Sequence, residues 1–242
     1  MSYAFFTETF PWLTPMGQYF AAIFLVLFMA VSVVALEGRG WGKQKMALED
    51  WRFDEAYTQE VLQKYPHLNE NDAAEAFEQL RRYFQICWQN EKKTVAMPSR
   101  LIDECWHVFI CDTRNYSRFC EAVFGRFLHH EPPTSTERLL IEFSALSQLQ
   151  MLSITRAYQG ASVIEEKSSV TNQSPLGIPY LFKIDELMAI PYGSCYSAEF
   201  LEGIAAFDLK RAEAKLSKDE GAADGSGAAC GDGGACGCGG SV

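Results

Sequence analysis

The stretch PSRLIDECWHVFICDTRNYSRFCEAVFGRFLHHEP, residues 98–132, decides how the chain folds. Pro98 has no amide hydrogen and its ring clashes with a preceding helical turn, so a helix is expected to begin after it and to run to about Cys111. Asp112 can cap a second helix that carries Tyr116, Phe119 and Val123 on one face and stops at Gly125. The run His129-His130-Glu131-Pro132-Pro133 then breaks the chain. Trp106, Phe109, Phe119, Phe124 and Phe127 read as core. No stretch of the sequence alternates with a sustained period of two, so the fold class is all-α.

Working outward, a helix is expected from about Arg52 to Lys64, stopped by Pro66, and another from about Asn71 to Gln89. The second repeats Ala73, Phe77, Leu80, Phe84 and Cys87/Trp88 at helical spacing, with Asn71 as its cap. Downstream, Thr134 with Glu137 forms a capping box for a long helix reaching about Tyr158. Residues 160–179 read as loop, 180–189 have no clear assignment, and Ser197 caps a last helix ending near Leu216. These elements make up a helical domain over residues 51–217. There is no internal repeat.

From Thr9 to Leu36 no residue is charged, and the run Tyr19 to Leu36 reads YFAAIFLVLFMAVSVVAL. A helix over residues 15–36 is roughly 30 Å long at about 1.5 Å per residue, enough to cross the hydrocarbon layer. Trp12 and Trp41 fit interfacial anchors on its two sides. The alternative is a cleaved signal peptide ending near Val33-Val34-Ala35, but no basic residue precedes the apolar run and the run is long for that role. The lipid bilayer is thus an expected partner, with residues 1–14 as a short segment before the transmembrane helix. Residues 37–50 are expected to be a juxtamembrane linker, with Gly38, Gly40 and Gly42 ending the helix. Arg39, Lys43 and Lys45 follow the helix and nothing basic precedes it, which places a single-pass protein's soluble domain in the cytoplasm.

Composition sets the remaining bounds. A 48% apolar and 13% aromatic content supplies a genuine core. A net charge of −10 excludes a nucleic-acid binder, which needs clustered Lys and Arg to replace counterions. Of the eight cysteines, Cys87, Cys105, Cys111 and Cys120 sit in apolar helical patterns and read as small core residues. Residues 218–242, KDEGAADGSGAACGDGGACGCGGSV, cannot bury a core and read as a disordered Gly/Cys-rich tail. Its thiols Cys230, Cys236 and Cys238 could bind a soft metal, form a disulfide, or simply ride on a flexible chain.

Chemistry concentrates around the central stretch. Asp103, His107 and Cys111 are spaced i, i+4, i+8 and share one helix stripe, with Arg114 just beyond. Three of the four histidines, His107, His129 and His130, lie close together in sequence. One reading is a divalent transition metal held by His107 with His129 or His130, Asp103 orienting the His107 ring from behind. A second is a structural Asp–His hydrogen bond that knits two helices. A third is a Cys111 nucleophile, disfavoured because a thiol on an apolar helix is ordinarily buried and inert. No C-x2-C or similar zinc spacing is present.

The same stretch resembles the glycine-rich domain-containing protein-like family, whose members show D-x-x-W-H, then Y-x-x-F-C, then G-R-F-hydrophobic-H-H. Those elements fall on Asp103, Trp106, His107, Tyr116, Phe119, Cys120, Gly125, Arg126, Phe127, His129 and His130. YPHLNENDAAEAFEQLRRYF upstream, LGIPYLFKIDELMAIPYG downstream and the Gly/Cys-rich end are similar too. The resemblance implies no reaction. Many members place a second histidine two residues after the first, where this chain has Phe109, so a centre built on that histidine would be one ligand short.

The expectation is a membrane-anchored helical module that binds an as yet undefined protein partner. The alternative is a metal-binding or metal-dependent activity at Asp103, His107, His129 and His130. The two part on geometry: side-chain nitrogens converging around an open position favour the metal, a helix–helix hydrogen-bonded pair buried without a cavity favours the module.

Overall fold

The computed structural model describes residues 15–91, 93–130, 146–167 and 177–215, with side chains placed for all of these except 15–18, 21 and 30–39. Among the described residues every regular element is helical: α1 (Pro15–Asp50), α2 (Glu55–Lys64), α3 (Glu70–Gln89), α4 (Arg100–Cys111), α5 (Thr113–Phe124), α6 (Gln148–Lys167), a 3-10 turn at Tyr180–Phe182, α7 (Ile184–Leu187) and α8 (Ala198–Ala206). Residues 209–215 are helical again. The expected capping box at Thr134 and Glu137, the segment 1–14 and the tail with its three thiols lie outside the described residues.

α3 is the hub. It packs against α1, α2, α4 and α6, because its apolar residues recur every three or four positions and make a broad stripe. Phe77, Leu80 and Phe84 of that stripe meet Leu101, Ile102, Cys105 and Phe109 of α4, and Phe119 of α5, all at most 3% exposed. Phe84 sits among aromatic rings, with Trp106 edge-on at 5.4 Å and Phe119 at 4.8 Å between centroids. The cap of α3 is Asn69 rather than Asn71. Its side chain accepts from the amides of Asn71 and Asp72, while Asp72 accepts from the Asn69 amide, a reciprocal capping box that starts the helix two residues early.

Two expectations about helix ends are corrected. The segment 37–50 is not a linker: α1 runs through Gly38, Gly40 and Gly42 without a break. Packing outweighs the propensity cost of the glycines, roughly 1 kcal/mol each. Leu48 is buried, Gln44 accepts from the Trp88 indole at 3.2 Å, and the Leu48 carbonyl accepts from Arg81 at 2.6 Å. Likewise α6 does not give way to loop at Gly160 but continues to Lys167. Gly160 is where α6 presses on α3, and a Cβ there would come within 2.6 Å of Ile86 Cγ2. In sequence, a small residue at a helix crossing looks the same as a breaker.

The described side chains of α1 between Tyr19 and Met29 face solvent all round the helix, at 55–72% exposure for the large apolar ones. Among the described residues, no helix is long and apolar enough to cross a membrane.

The segment with no assignment from sequence, 180–189, has a specific role. Asp185 is buried at 3% exposure beneath the start of α4. One of its oxygens accepts from the Ser99 hydroxyl (2.6 Å) and the Leu101 amide (3.1 Å), the other from the amides of Arg100 and Ser194 (2.7 Å each). A carboxylate at the positive end of a helix is favoured by the aligned peptide dipoles as well as by these bonds. It fixes the helix that carries Asp103 and His107.

Candidate functional site

α4 sets Asp103 and His107 one turn apart on the same face, and Asp103 is nearly buried. The third member comes from the chain after α5. Gly125 ends that helix in the left-handed region (φ 62°), which turns the chain back across α4. The return is held by Tyr116, whose hydroxyl accepts from the Trp106 indole at 3.1 Å and donates to the Leu128 carbonyl at 2.5 Å. Two residues later the His130 ring lies edge-on to Trp106, with 4.4 Å between centroids, and beside the His107 ring at 4.5 Å.

Asp103 is the meeting point. One carboxylate oxygen lies 2.7 Å from His130 Nε2, the other 3.7 Å from His107 Nδ1. One ligand atom from each of the three residues falls within 4.8 Å of the others. The His130 side chain is only 9% exposed and that of His107 is 44%, so the group is closed on one side and open on the other.

Of the residues singled out in the sequence, the structure brings together Asp103, His107 and His130. His129 points elsewhere, its exposed ring resting on Phe127 at 5.1 Å. Cys111 is also corrected: it is exposed at the end of α4 rather than a core residue, and it does not belong to the converging group. Cys87, Cys105 and Cys120 are buried, as expected. Burial pushes the Cys87 thiol up to about 12 and raises Cys105 and Cys120 as well, so none of them is a ready nucleophile. Sequence reasoning misses Asp185. A charged residue inside the apolar run YLFKIDELMAI is the available signal.

Two imidazoles and one carboxylate suit zinc, iron and the neighbouring divalent metals, not calcium or magnesium, which prefer oxygen throughout. Three protein ligands with an open side match sites that keep a position for water or substrate, whereas structural zinc sites are closed by four. Asp103 would then be a ligand itself and not only an orienting group behind His107. Without a metal, the same atoms form a buried hydrogen bond between Asp103 and His130, with His107 in loose attendance.

The helices and this centre define a class: an all-α protein with a histidine–carboxylate cluster on one helix and one returning loop. The chain belongs to the UCP032817-like family, whose model matches residues 43–211. That span takes in α2 to α8 and the centre, and it leaves out the apolar part of α1. No curated protein and no solved structure matches the chain.

Proposed function

We propose that this protein is a membrane-anchored helical module that holds a divalent transition metal with Asp103, His107 and His130. The convergence of the three side chains within 4.8 Å carries the metal part of this reading. His129 is left out of the proposed ligand set because its ring does not join that convergence. The anchor rests on the unbroken apolar run in residues 15–36 and on the all-round exposure of the apolar side chains described in α1. Arg39, Lys43 and Lys45 give the domain a cytoplasmic side. The likeness to glycine-rich domain-containing proteins is part of the proposal and rests on the residues of the central stretch.

The test is elemental analysis of the full chain purified in neutral detergent. The expected result is close to one zinc, iron or similar ion per chain, lost in His130→Ala and in Asp103→Ala but kept in His129→Ala. Metal absent from wild type after growth and purification with added zinc or iron would sink the reading. A second reading is favoured by one observation, the 2.7 Å bond between Asp103 and His130 under the Trp106 ring. There the cluster is a structural clasp and the module works by binding a protein partner.

A further inference from the structure

A cavity of about 750 Å³ adjoins the centre and shares Asp103 and Trp106 with it, and neither the anchor nor the metal accounts for it. Its lining runs against the character of the chain. The sequence has 31 acidic and 21 basic residues, yet Lys93, Arg100, Arg126 and Arg156 face this space against only Glu91 and Asp103. Two of the four cations are ion-paired: Lys93 and Arg156 both reach Glu213 at 2.9 Å. Arg100 and Arg126 differ: among the described residues no carboxylate lies within ion-pair distance of either guanidinium, and that of Arg126 donates to the neutral Glu91 carbonyl. Among the described residues, the cavity thus offers positive charge without a matching carboxylate. The rest of the wall mixes polar side chains, among them Gln150, Ser153 and Ser194, with an apolar strip of Leu146, Phe200 and the 64% exposed Leu149.

The position of Arg126 suggests where its ligand comes from. It follows Gly125, whose backbone lies against Gln44 of α1, a Cβ there standing 3.6 Å from Gln44 Nε2. Glu91, which holds Arg126, is less than a turn from Trp88, which bonds to Gln44 and packs on Trp41 at 4.9 Å. This side of the cavity is therefore level with residues 41–44 of α1. That is five to eight residues past Leu36, or roughly 8–12 Å along the helix axis. For a helix that leaves the hydrocarbon layer at Leu36, such a height is just outside the headgroup layer, which is roughly 5–8 Å deep on each side.

We propose that this cavity binds one anionic membrane lipid, its phosphate on Arg126 and its apolar part along Leu146, Leu149 and Phe200. Arginine recognises phosphate through two parallel N–H bonds, and basic pockets beside membrane helices take anionic headgroups. The lipid source rests on the anchor reading. The metal centre shares Asp103 with the wall of this site, and the lipid phosphate is placed on Arg126 and not on the metal.

Native mass spectrometry of the full chain, released from neutral detergent, tests the proposal by counting bound lipid. With dihexanoyl phosphatidic acid, the expected product is a one-to-one adduct at least tenfold more abundant than with dihexanoyl phosphatidylcholine or with inorganic phosphate. Arg126→Gln should lower that adduct at least tenfold. Leu149→Glu, on the exposed rim, should do the same while leaving any phosphate adduct alone, and it serves where the first variant fails to fold. Equal adducts with both lipids, or adducts that survive both variants, overturn the proposal. Inorganic phosphate binding as well as phosphatidic acid overturns the lipid source in favour of a free anion. Carbonate extraction of membranes separates this from the anchor: chain in the pellet with no lipid adduct sinks the cavity proposal alone. Chain in the supernatant sinks the anchor, and with it the membrane as the source of the ligand.

Discussion

Asp103 and His130 are 27 residues apart in the chain, and their side chains meet at 2.7 Å. The bond is made possible by a left-handed glycine, a tyrosine that grips a backbone carbonyl and a tryptophan that backs the ring.

Stability of single and double variants should report that bond. Removing either partner leaves the other buried without a mate, so Asp103→Ala and His130→Ala should each cost about 1–3 kcal/mol. The double variant should cost less than the two singles together, since they lose one shared interaction. His107→Ala, half-exposed and 3.7 Å from the carboxylate, should stay within about 1 kcal/mol of wild type in the metal-free protein. With a metal bound, chelator should lower the melting temperature of wild type and hardly move that of His130→Ala. Urea or thermal melts with and without chelator separate these patterns.

Asp185 should matter to the fold more than any other acid. Its carboxylate satisfies two amides and one hydroxyl at the start of α4 and the amide of Ser194. Asp185→Ala strands these donors in a buried place, and a loss of about 3–5 kcal/mol is expected. Gly193→Ala should also destabilise, by about 1–3 kcal/mol, because its Cβ would stand 2.8 Å from Asp185 Cβ and 3.0 Å from the Ile190 carbonyl. A near-neutral Asp185→Ala in thermal melts would contradict the role given to this residue.

Helical glycines should divide by their surroundings. A methyl group added at Gly40 or Gly42 would meet nothing within 4 Å, so alanine at either should stabilise α1 by about 0.5–1 kcal/mol. Gly160→Ala should do the reverse, at a cost of about 1–3 kcal/mol, since Ile86 is stiff and its Cγ2 lies 2.6 Å away. Denaturation midpoints of the three variants give opposite signs or the packing account fails.

Thiol labelling of the native chain near neutral pH should modify Cys111 and Cys195, which are exposed, and spare Cys87, Cys105 and Cys120. Peptide mapping before and after denaturation reads this directly. Rapid native labelling of Cys105, at 0% exposure, would show that α4 opens far more readily than its packing indicates.

Acid should loosen the junction between α6 and the last helical residues. Burial pushes the Glu213 carboxyl up, but hydrogen bonds from Lys93 and Arg156 outweigh it and hold the group below its usual range. A lowered acid pKa adds stability above the unfolded-state value, about 4.3 for glutamate, and that contribution is lost as pH falls through the folded-state value. Glu213→Gln should therefore flatten the acid limb of a stability–pH profile while barely changing its shape above about pH 6.

Much of the helical order is legible in the sequence because it depends on local chemistry. The start of α4 after Pro98, the Asp112 cap, the Gly125 stop and the Ser197 cap are each set by one residue's backbone or side-chain preference. The points that sequence misreads depend on contacts made far along the chain. Gly160 stays helical because Ile86 leaves no room for more than a hydrogen, and the glycines of α1 stay helical because Leu48 and Gln44 are held by α3. The candidate centre is legible as a set of residues and not as an arrangement. Sequence spacing pairs Asp103 with His107, while the choice of His130 over His129 is made by Tyr116 and Trp106. Asp185 is hidden for the same reason, as all four donors come from other segments.

The unbroken course of α1 has a mechanical consequence. A hinge at residues 38–42 would let the domain drift on a leash, whereas one continuous rod joined to α3 and α5 behaves as a shaft with its load fixed at one end. For an apolar stretch seated in a bilayer, a change in hydrocarbon thickness alters the tilt of the shaft. The domain would swing with it, raising or lowering the Arg126 side against the headgroups. On the proposed anchor, bilayer thickness would be a quantity to which the domain is geometrically coupled, without any rearrangement inside it.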